Sequence, residues 1–145
     1  MKKLSTIMLF CILTIGFAAT ASAVQWQEIH YKDADILWLF DSHSYETINS
    51  ATYSVEIKAQ YTDSFGKQVS EEIGLAKPVA YFTKTYLFNY KEKTYNSLNV
   101  TFYDKNNNVL RTTNYPADAT MYPFESKLDE VMFEQTFFHY NKYYR

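Results

Sequence analysis

The sequence contains few of the residues that interrupt or cross-link a chain. Its 145 residues include three glycines, three prolines and one cysteine. So few chain breakers argue against a disordered or loop-rich protein and favour long strands with at least one helix. The single cysteine, Cys11, lies in an N-terminal apolar run. The remaining chain therefore has no internal disulfide, and its stability must come from its core.

The sequence also lacks a strong charge of one sign. Lysine and arginine number 14 against 16 acidic residues, a net charge of −2. Removal of Lys2 and Lys3 leaves 12 basic residues and a net charge of −4. No basic patch is visible, so we predict no nucleic-acid partner and no anionic lipid partner.

The N-terminus has the pattern of a Sec signal peptide. Lys2 and Lys3 precede an apolar run from Leu4 to Phe17, and Ala21-Ser22-Ala23 provides a small-residue cleavage site. The run of about 14 residues is shorter than the roughly 18 needed to span a bilayer. We predict a signal peptide at residues 1–23, no transmembrane segment after its cleavage, and a single exported domain at 24–145, periplasmic or on the cell surface.

The exported part alternates between apolar and polar residues in several segments. The clearest is Thr52 to Thr62, which predicts a half-buried antiparallel strand. Ile36 to Phe40 is a continuous apolar run typical of a buried strand, and Gln25 to Tyr31 alternates more weakly. The segments 79–88, 94–104 and 109–115 follow with polar turns between them, which predicts a β-meander.

Helical signals come late in the chain. Ser126 and Asp129 resemble a capping box, and apolar residues at helical spacing follow, which predicts a helix over 126–139 with a frayed tail over 140–145. Gln68 to Leu75 is compatible with one or two helical turns. We therefore predict an α+β fold, a mainly antiparallel meander sheet of five or six strands with the C-terminal helix packed on one face.

No recognisable catalytic set is present. Asp41, Ser42, His43 and Ser44 include the residue types of a nucleophilic site, but neighbours in a turn rarely face one another, and we interpret the segment as a turn. His30, His43 and His139 lack metal-ligand spacing. We predict no catalytic, cofactor or metal residues and a non-enzymatic protein. The alternative is a periplasmic small-ligand-binding protein or hydrolase, with Asp41 and His43 in a site between helix and sheet.

Tyrosine is the abundant residue, with 14 in the chain. Tyrosine offers a large contact area at low entropic cost, so an exposed row on strands can bind a partner. We select Tyr81, Tyr86, Tyr95 and Tyr103 as candidate partner-binding residues. Ordinary cross-strand packing is the alternative for each of them.

The order of these features resembles the surface-adhesin protein E-like domain family of Gram-negative bacteria. The shared features are Trp26 near the start of the exported part, a strand ending in Asp41 with Ser44 three residues later, the meander, and a final helix after Pro123 and Ser126. The resemblance implies a cell-envelope adhesion or binding module. Its implied partner is a host extracellular protein or an envelope protein, and exposed strand edges allow a homodimer.

The sequence departs from that family at a cysteine pair. Members carry one cysteine at the start of a meander turn and another in the last helix, where this chain has Tyr90 and Phe137 or Phe138. An aromatic contact at these positions can replace the bridge without altering the fold.

Overall fold

The computed structural model describes residues 23–116 and 120–145, so the predicted signal peptide lies outside the described residues except for Ala23. The described residues form two helices, α1 (Asp63–Ile73) and α2 (Lys127–Tyr143). The strands are β1 (Trp26–Glu28), β2 (Ile36–Asp41), β3 (Glu46–Asn49), β4 (Thr52–Tyr61), β5 (Tyr81–Asn89), β6 (Thr94–Ser97), β7 (Asn99–Tyr103), β8 (Val109–Asn114) and β9 (Tyr122–Pro123).

These strands form one antiparallel sheet around a central pair. β4 and β5 are paired from Thr52↔Asn89 to Gln60↔Tyr81. The other edge of β4 is shared by β2 and β3, and the other edge of β5 is shared by β7 and β6. The α+β class, the antiparallel sheet and the C-terminal helix are thus confirmed. The described sheet has nine strands because the short strands β3 and β9 pair with β4 and β6, and because the predicted strand 94–104 divides at Leu98 into β6 and β7.

The alternation along β4 separates a covered face of the sheet from an open face. Tyr53, Val55, Ile57 and Ala59 are fully buried on the covered face. α2 packs against them, with the rings of Tyr53 and Tyr140 stacked at 4.5 Å between centroids. The alternate residues of β4, among them Lys58, point to the open face.

α2 is longer than the sequence predicted. Its start has the predicted capping box, in which Ser126 Oγ accepts from the Asp129 N–H at 3.1 Å and the Asp129 carboxylate accepts from the Ser126 N–H. The helix continues to Tyr143, so the prediction of a frayed tail from residue 140 is wrong. Tyr140 is only 2% exposed, and the Tyr144 hydroxyl donates to Ser42 O at 2.6 Å. These contacts hold the end of the chain on the covered face.

α1 begins at Asp63, before the segment from Gln68 to Leu75 for which one or two helical turns were predicted. Gly66 lies inside this helix, where the chain approaches the backbone of Val79 closely. The Val79 N–H donates to Ser70 Oγ at 2.8 Å. α1 ends at Gly74, which has the left-handed φ of 71° that favours glycine. Phe65 of α1 contacts Tyr61, whose ring also contacts Phe82 on the covered face, so both described helices lie on that face.

An aromatic contact joins the end of β5 to α2, through the two residues that the resemblance aligns with a cysteine pair. Tyr90, just after β5, stacks on Phe137 of α2 with ring centroids 5.1 Å apart. Phe137 also stacks on Phe133 at 5.3 Å. This part of α2 is therefore fixed to the sheet by aromatic packing.

Candidate functional site

The four selected tyrosines do not form one surface. Tyr81 and Tyr103 are directly opposite each other on β5 and β7, and both point to the open face. Tyr86 and Tyr95 lie on the covered face, where Tyr86 is only 8% exposed and Tyr95 packs near Phe124. Tyr86 follows Tyr81 at an odd offset in β5, which places the two side chains on opposite faces of the strand. The structure thus brings the four together as two separate pairs, Tyr81 with Tyr103 on the open face and Tyr86 with Tyr95 on the covered face.

Tyr81 and Tyr103 belong to a larger group, which we call the open-face stack. Their rings are stacked 4.6 Å apart between centroids, with an interplanar angle of 14°. Lys58 Nζ lies 4.2 Å from the centroid of the Tyr81 ring and 5.5 Å from that of Trp26. The open-face stack, Trp26, Lys58, Tyr81 and Tyr103, therefore crosses the sheet from β1 through β4 and β5 to β7.

Burial within the stack shifts the pKa values of its members. It lowers the pKa of the Lys58 amine. It also raises the pKa of Tyr81, and the neighbouring Tyr103 and Asp104 raise it further. The Tyr81 hydroxyl donates to Asn107 Oδ1 at 2.9 Å. Within the part of the chain that the structure describes, no carboxylate lies within 4 Å of Lys58.

This arrangement determines which ligand chemistry the open face suits. One ring face of Tyr81 meets Tyr103 and its π system also binds the Lys58 cation, so Tyr81 is not a free platform for stacking on a sugar. The groups available are ring edges, the Tyr103 hydroxyl and the Lys58 ammonium group, which has no carboxylate partner among residues 23–116 and 120–145. They suit a partner that presents carboxylates or other hydrogen-bond acceptors.

The segment Asp41 to Ser44 is a turn, as interpreted from the sequence. Asp41 Oδ1 accepts from the backbone N–H groups of Gln25 and His43, both at 3.0 Å. Ser44 Oγ donates to Asp41 O at 2.8 Å, and the His43 ring Nδ1 bonds to Ala23 O at 2.8 Å. The carboxylate thus binds backbone and does not orient the imidazole. Asp41 and His43 do not form an acid–base pair.

The same turn borders a cleft at the end of α2, which we call the end cleft. It has a volume of about 420 Å³ and is lined by Gln25, Ser42, His43, His139, Tyr143 and Tyr144, among others. His139 stacks on Tyr45 at 5.3 Å, and its Nδ1 is buried without a hydrogen-bond partner in residues 23–116 and 120–145. Burial lowers the pKa of His139, and the charges of Lys142 and His43 lower it further.

Sequence reasoning missed the proximity of His43 and His139 and the role of Lys58. No periodic signal predicts that proximity, because it depends on how α2 packs against the distant turn that contains His43. The alternation of β4 places Lys58 on the polar side of the strand, but its contact with Tyr81 depends on the pairing register with β5.

Comparison with protein-family models, curated proteins and solved structures gives no significant match. Neither described helix combines the length and apolar composition needed to cross a membrane. Within residues 23–116 and 120–145, no three His, Cys, Asp or Glu side chains are grouped as a metal site.

Proposed function

We propose that this chain is a non-enzymatic exported protein of the cell envelope that binds a protein or polymer partner through the open face of its sheet. The observation that carries the proposal is the open-face stack. Both described helices pack on the covered face, and the opposite face carries aromatic edges and the Lys58 cation, unpaired among the described residues, in a row that extends from β1 to β7. Tyrosine and tryptophan are residues that dominate many binding surfaces.

The resemblance to surface-adhesin protein E-like domains agrees with this proposal in its implied partner, a host extracellular protein or an envelope protein. The chemistry of the stack narrows the class of partner. A partner segment rich in carboxylates or carbonyl groups would accept a hydrogen bond from the Tyr103 hydroxyl and contact the ammonium group of Lys58.

A binding comparison tests the site. The probes are immobilised extracellular matrix proteins and purified envelope fragments. We expect wild-type protein to be retained on at least one, and the double variant Lys58→Gln/Tyr103→Ala to bind about thirtyfold more weakly, since two contacts of roughly 1 kcal/mol are lost. Lys91→Gln is the matched control, because Lys91 is an exposed turn residue outside the stack. Equal retention of the double variant and the control would refute the site.

Export and exposure are tested separately. N-terminal sequencing of the protein from cells should begin at Val24. Protease added to intact cells should digest a surface protein, whereas a periplasmic protein is digested only after the outer membrane is permeabilised. A protein that retains residues 1–23 in the cytoplasm would contradict the proposal.

A second candidate function is the binding of a small ligand in the end cleft. The specific observation is the convergence of two imidazoles, Ser42 and two tyrosines on a cavity large enough for a small molecule. The test is an NMR titration with small sugars and carboxylic acids. Shifts centred on this cleft that disappear in His43→Ala, with unchanged thermal stability, would support it, and no cleft-centred shift with any probe would reject it.

A further inference from the structure

The longest edge strand of the described sheet is β8. It has six residues and pairs only with β7. The other edge strands are shorter, with three residues in β1, four in β3 and two in β9. The segment that follows β1 already has a partner for its backbone, because the His30 N–H donates to Gln135 Oε1 at 2.8 Å. β8 is therefore the edge most able to accept another strand.

The register of β8 defines which backbone groups point outward. The Tyr115 N–H donates to Leu98 O at 2.7 Å, and the pairs Val100↔Thr113 and Phe102↔Arg111 follow at two-residue steps. In an antiparallel ladder alternate residues bond to opposite sides. The N–H and C=O groups of Thr112 and Asn114 consequently point away from β7, and both residues are exposed.

β8 also lacks the features that usually protect an edge. The segment Val109 to Tyr115 contains no lysine, acid or proline. Its one charged residue, Arg111, donates to Ile73 O at 2.9 Å and so folds back towards α1. Val109 and Tyr115, at the two ends of the segment, are 59% and 44% exposed. Unpaired backbone groups at strand spacing recognise another extended strand.

We propose that β8 pairs antiparallel with β8 of a second copy of this chain, about a twofold axis that passes beside Thr113. In this register Thr113 lies opposite its own copy, and Thr112 lies opposite Asn114 of the partner subunit. Each of the two Thr112–Asn114 pairs exchanges both of its backbone hydrogen bonds. Arg111 lies opposite Tyr115 of the partner subunit, on the same side of the sheet, where a cation can contact an aromatic ring.

Other registers fit less well. A twofold axis beside Arg111 would place two guanidinium groups directly opposite each other, which destabilises a strand pair. An axis beside Thr112 would extend the pairing across Leu110, where β8 bulges because Phe102 pairs with Arg111 while Tyr103 pairs with Val109. The axis beside Thr113 avoids both problems.

The proposed dimer has a defined shape and strength. A twofold axis perpendicular to the sheet places both open faces on the same side, so the two sheets become continuous. One strand pair buries much less than the roughly 1,600 Å² of a standard stable interface. The dimer should therefore be reversible and depend on concentration. It stands independently of the binding function proposed above.

A charge-pair experiment tests the register. The exported protein is studied by sedimentation velocity from micromolar to about millimolar concentration. We expect wild type to shift from monomer to dimer in this range. Thr113→Glu and Thr113→Lys place like charges opposite each other and should each weaken association about fivefold or more, whereas an equimolar mixture of the two should associate at least as well as wild type. Gln68→Glu and Gln68→Lys, on the exposed side of α1, are the matched controls.

The outcomes separate clearly. Association that is lost in each Thr113 variant, restored on mixing and unchanged in each Gln68 variant supports the dimer and its axis. A wild type that remains monomeric throughout overturns the proposal, as do Thr113 variants that associate like wild type. Circular dichroism of each variant verifies folding, and restored association in the mixture does so independently.

Discussion

The contact between the sheet and α2 depends on a short hydrogen-bond chain, and its disruption gives a quantitative prediction. Tyr53 and Thr136 are both 0% exposed, and the Tyr53 hydroxyl lies 2.9 Å from Thr136 Oγ1. The Thr136 hydroxyl donates to Met132 O at 2.7 Å, so Tyr53 must be the donor to Thr136. The chain of donors runs from the sheet into the helix.

The two single substitutions should have unequal costs. Thr136→Val leaves the Tyr53 hydroxyl buried without an acceptor, and should lower the free energy of unfolding by about 2 kcal/mol. Tyr53→Phe leaves the bond from Thr136 to Met132 intact and should cost about 1 kcal/mol. The double variant removes both hydroxyls and should cost about 1 kcal/mol as well, less than the sum, because no unpaired donor remains.

Urea unfolding measures all three values. For a domain of this size a loss of 2 kcal/mol lowers the midpoint by roughly 1 M. Tyr81→Phe is the control, since its exposed hydroxyl should contribute less than about 0.5 kcal/mol. The hydrogen bonds do not form a directed chain if Thr136→Val costs no more than Tyr53→Phe, or if the cost of the double variant equals the sum of the two single costs within about 0.3 kcal/mol.

Three further predictions concern stability. Gly66→Ala should destabilise by about 2 kcal/mol in urea unfolding, despite the higher helix propensity of alanine, because the new Cβ would overlap the Val79 carbonyl; an unchanged or raised stability would contradict this packing. Ser126→Ala should cost about 1 kcal/mol by the same assay through loss of the cap, and no loss would mean that the capping box contributes nothing. Alkaline pH should unfold the protein, because burial in the folded state raises the pKa of several tyrosines, most strongly those of Tyr45, Tyr53 and Tyr86. The contribution of these three to stability is complete below pH 10 and falls above it by about 4 kcal/mol per pH unit, a slope that phenolate absorbance can follow.

Local patterns predicted the parts of the fold that local chemistry determines. The alternation of β4 assigned its buried residues, and Ser126 with Asp129 located the start of α2. The start of α1 was missed because Gly66 has a low helix propensity, whereas here it permits close packing of the helix against Val79. The end of α2 was missed because Tyr140 and Tyr144 are fixed by contacts with distant residues.

The candidate site was less predictable for a related reason. Residue parity along β5 could have separated Tyr81 from Tyr86, since parity is a property of one strand. The contact of Lys58 with Tyr81 and Trp26 depends on registers across four strands, and the meeting of His43 with His139 depends on how α2 ends against a turn. Strand registers and helix docking are determined by the whole core, so a short window of sequence does not predict them.

A single binding measurement tests both the open-face binding site and the β8 dimer. Thr113 pairs with Val100 and points to the covered side, whereas Lys58 points to the open face, so a charge at residue 113 leaves the open-face stack intact. A dimer with both open faces on one side would bind an immobilised polymer bivalently, and bivalency strengthens retention without any new contact. Thr113→Glu should therefore weaken retention on a dense polymer surface but not binding to a monovalent fragment in solution, whereas Lys58→Gln should weaken both. Equal losses for Thr113→Glu in the two formats would mean that residue 113 affects the site itself, and the separation of edge and face would then be wrong.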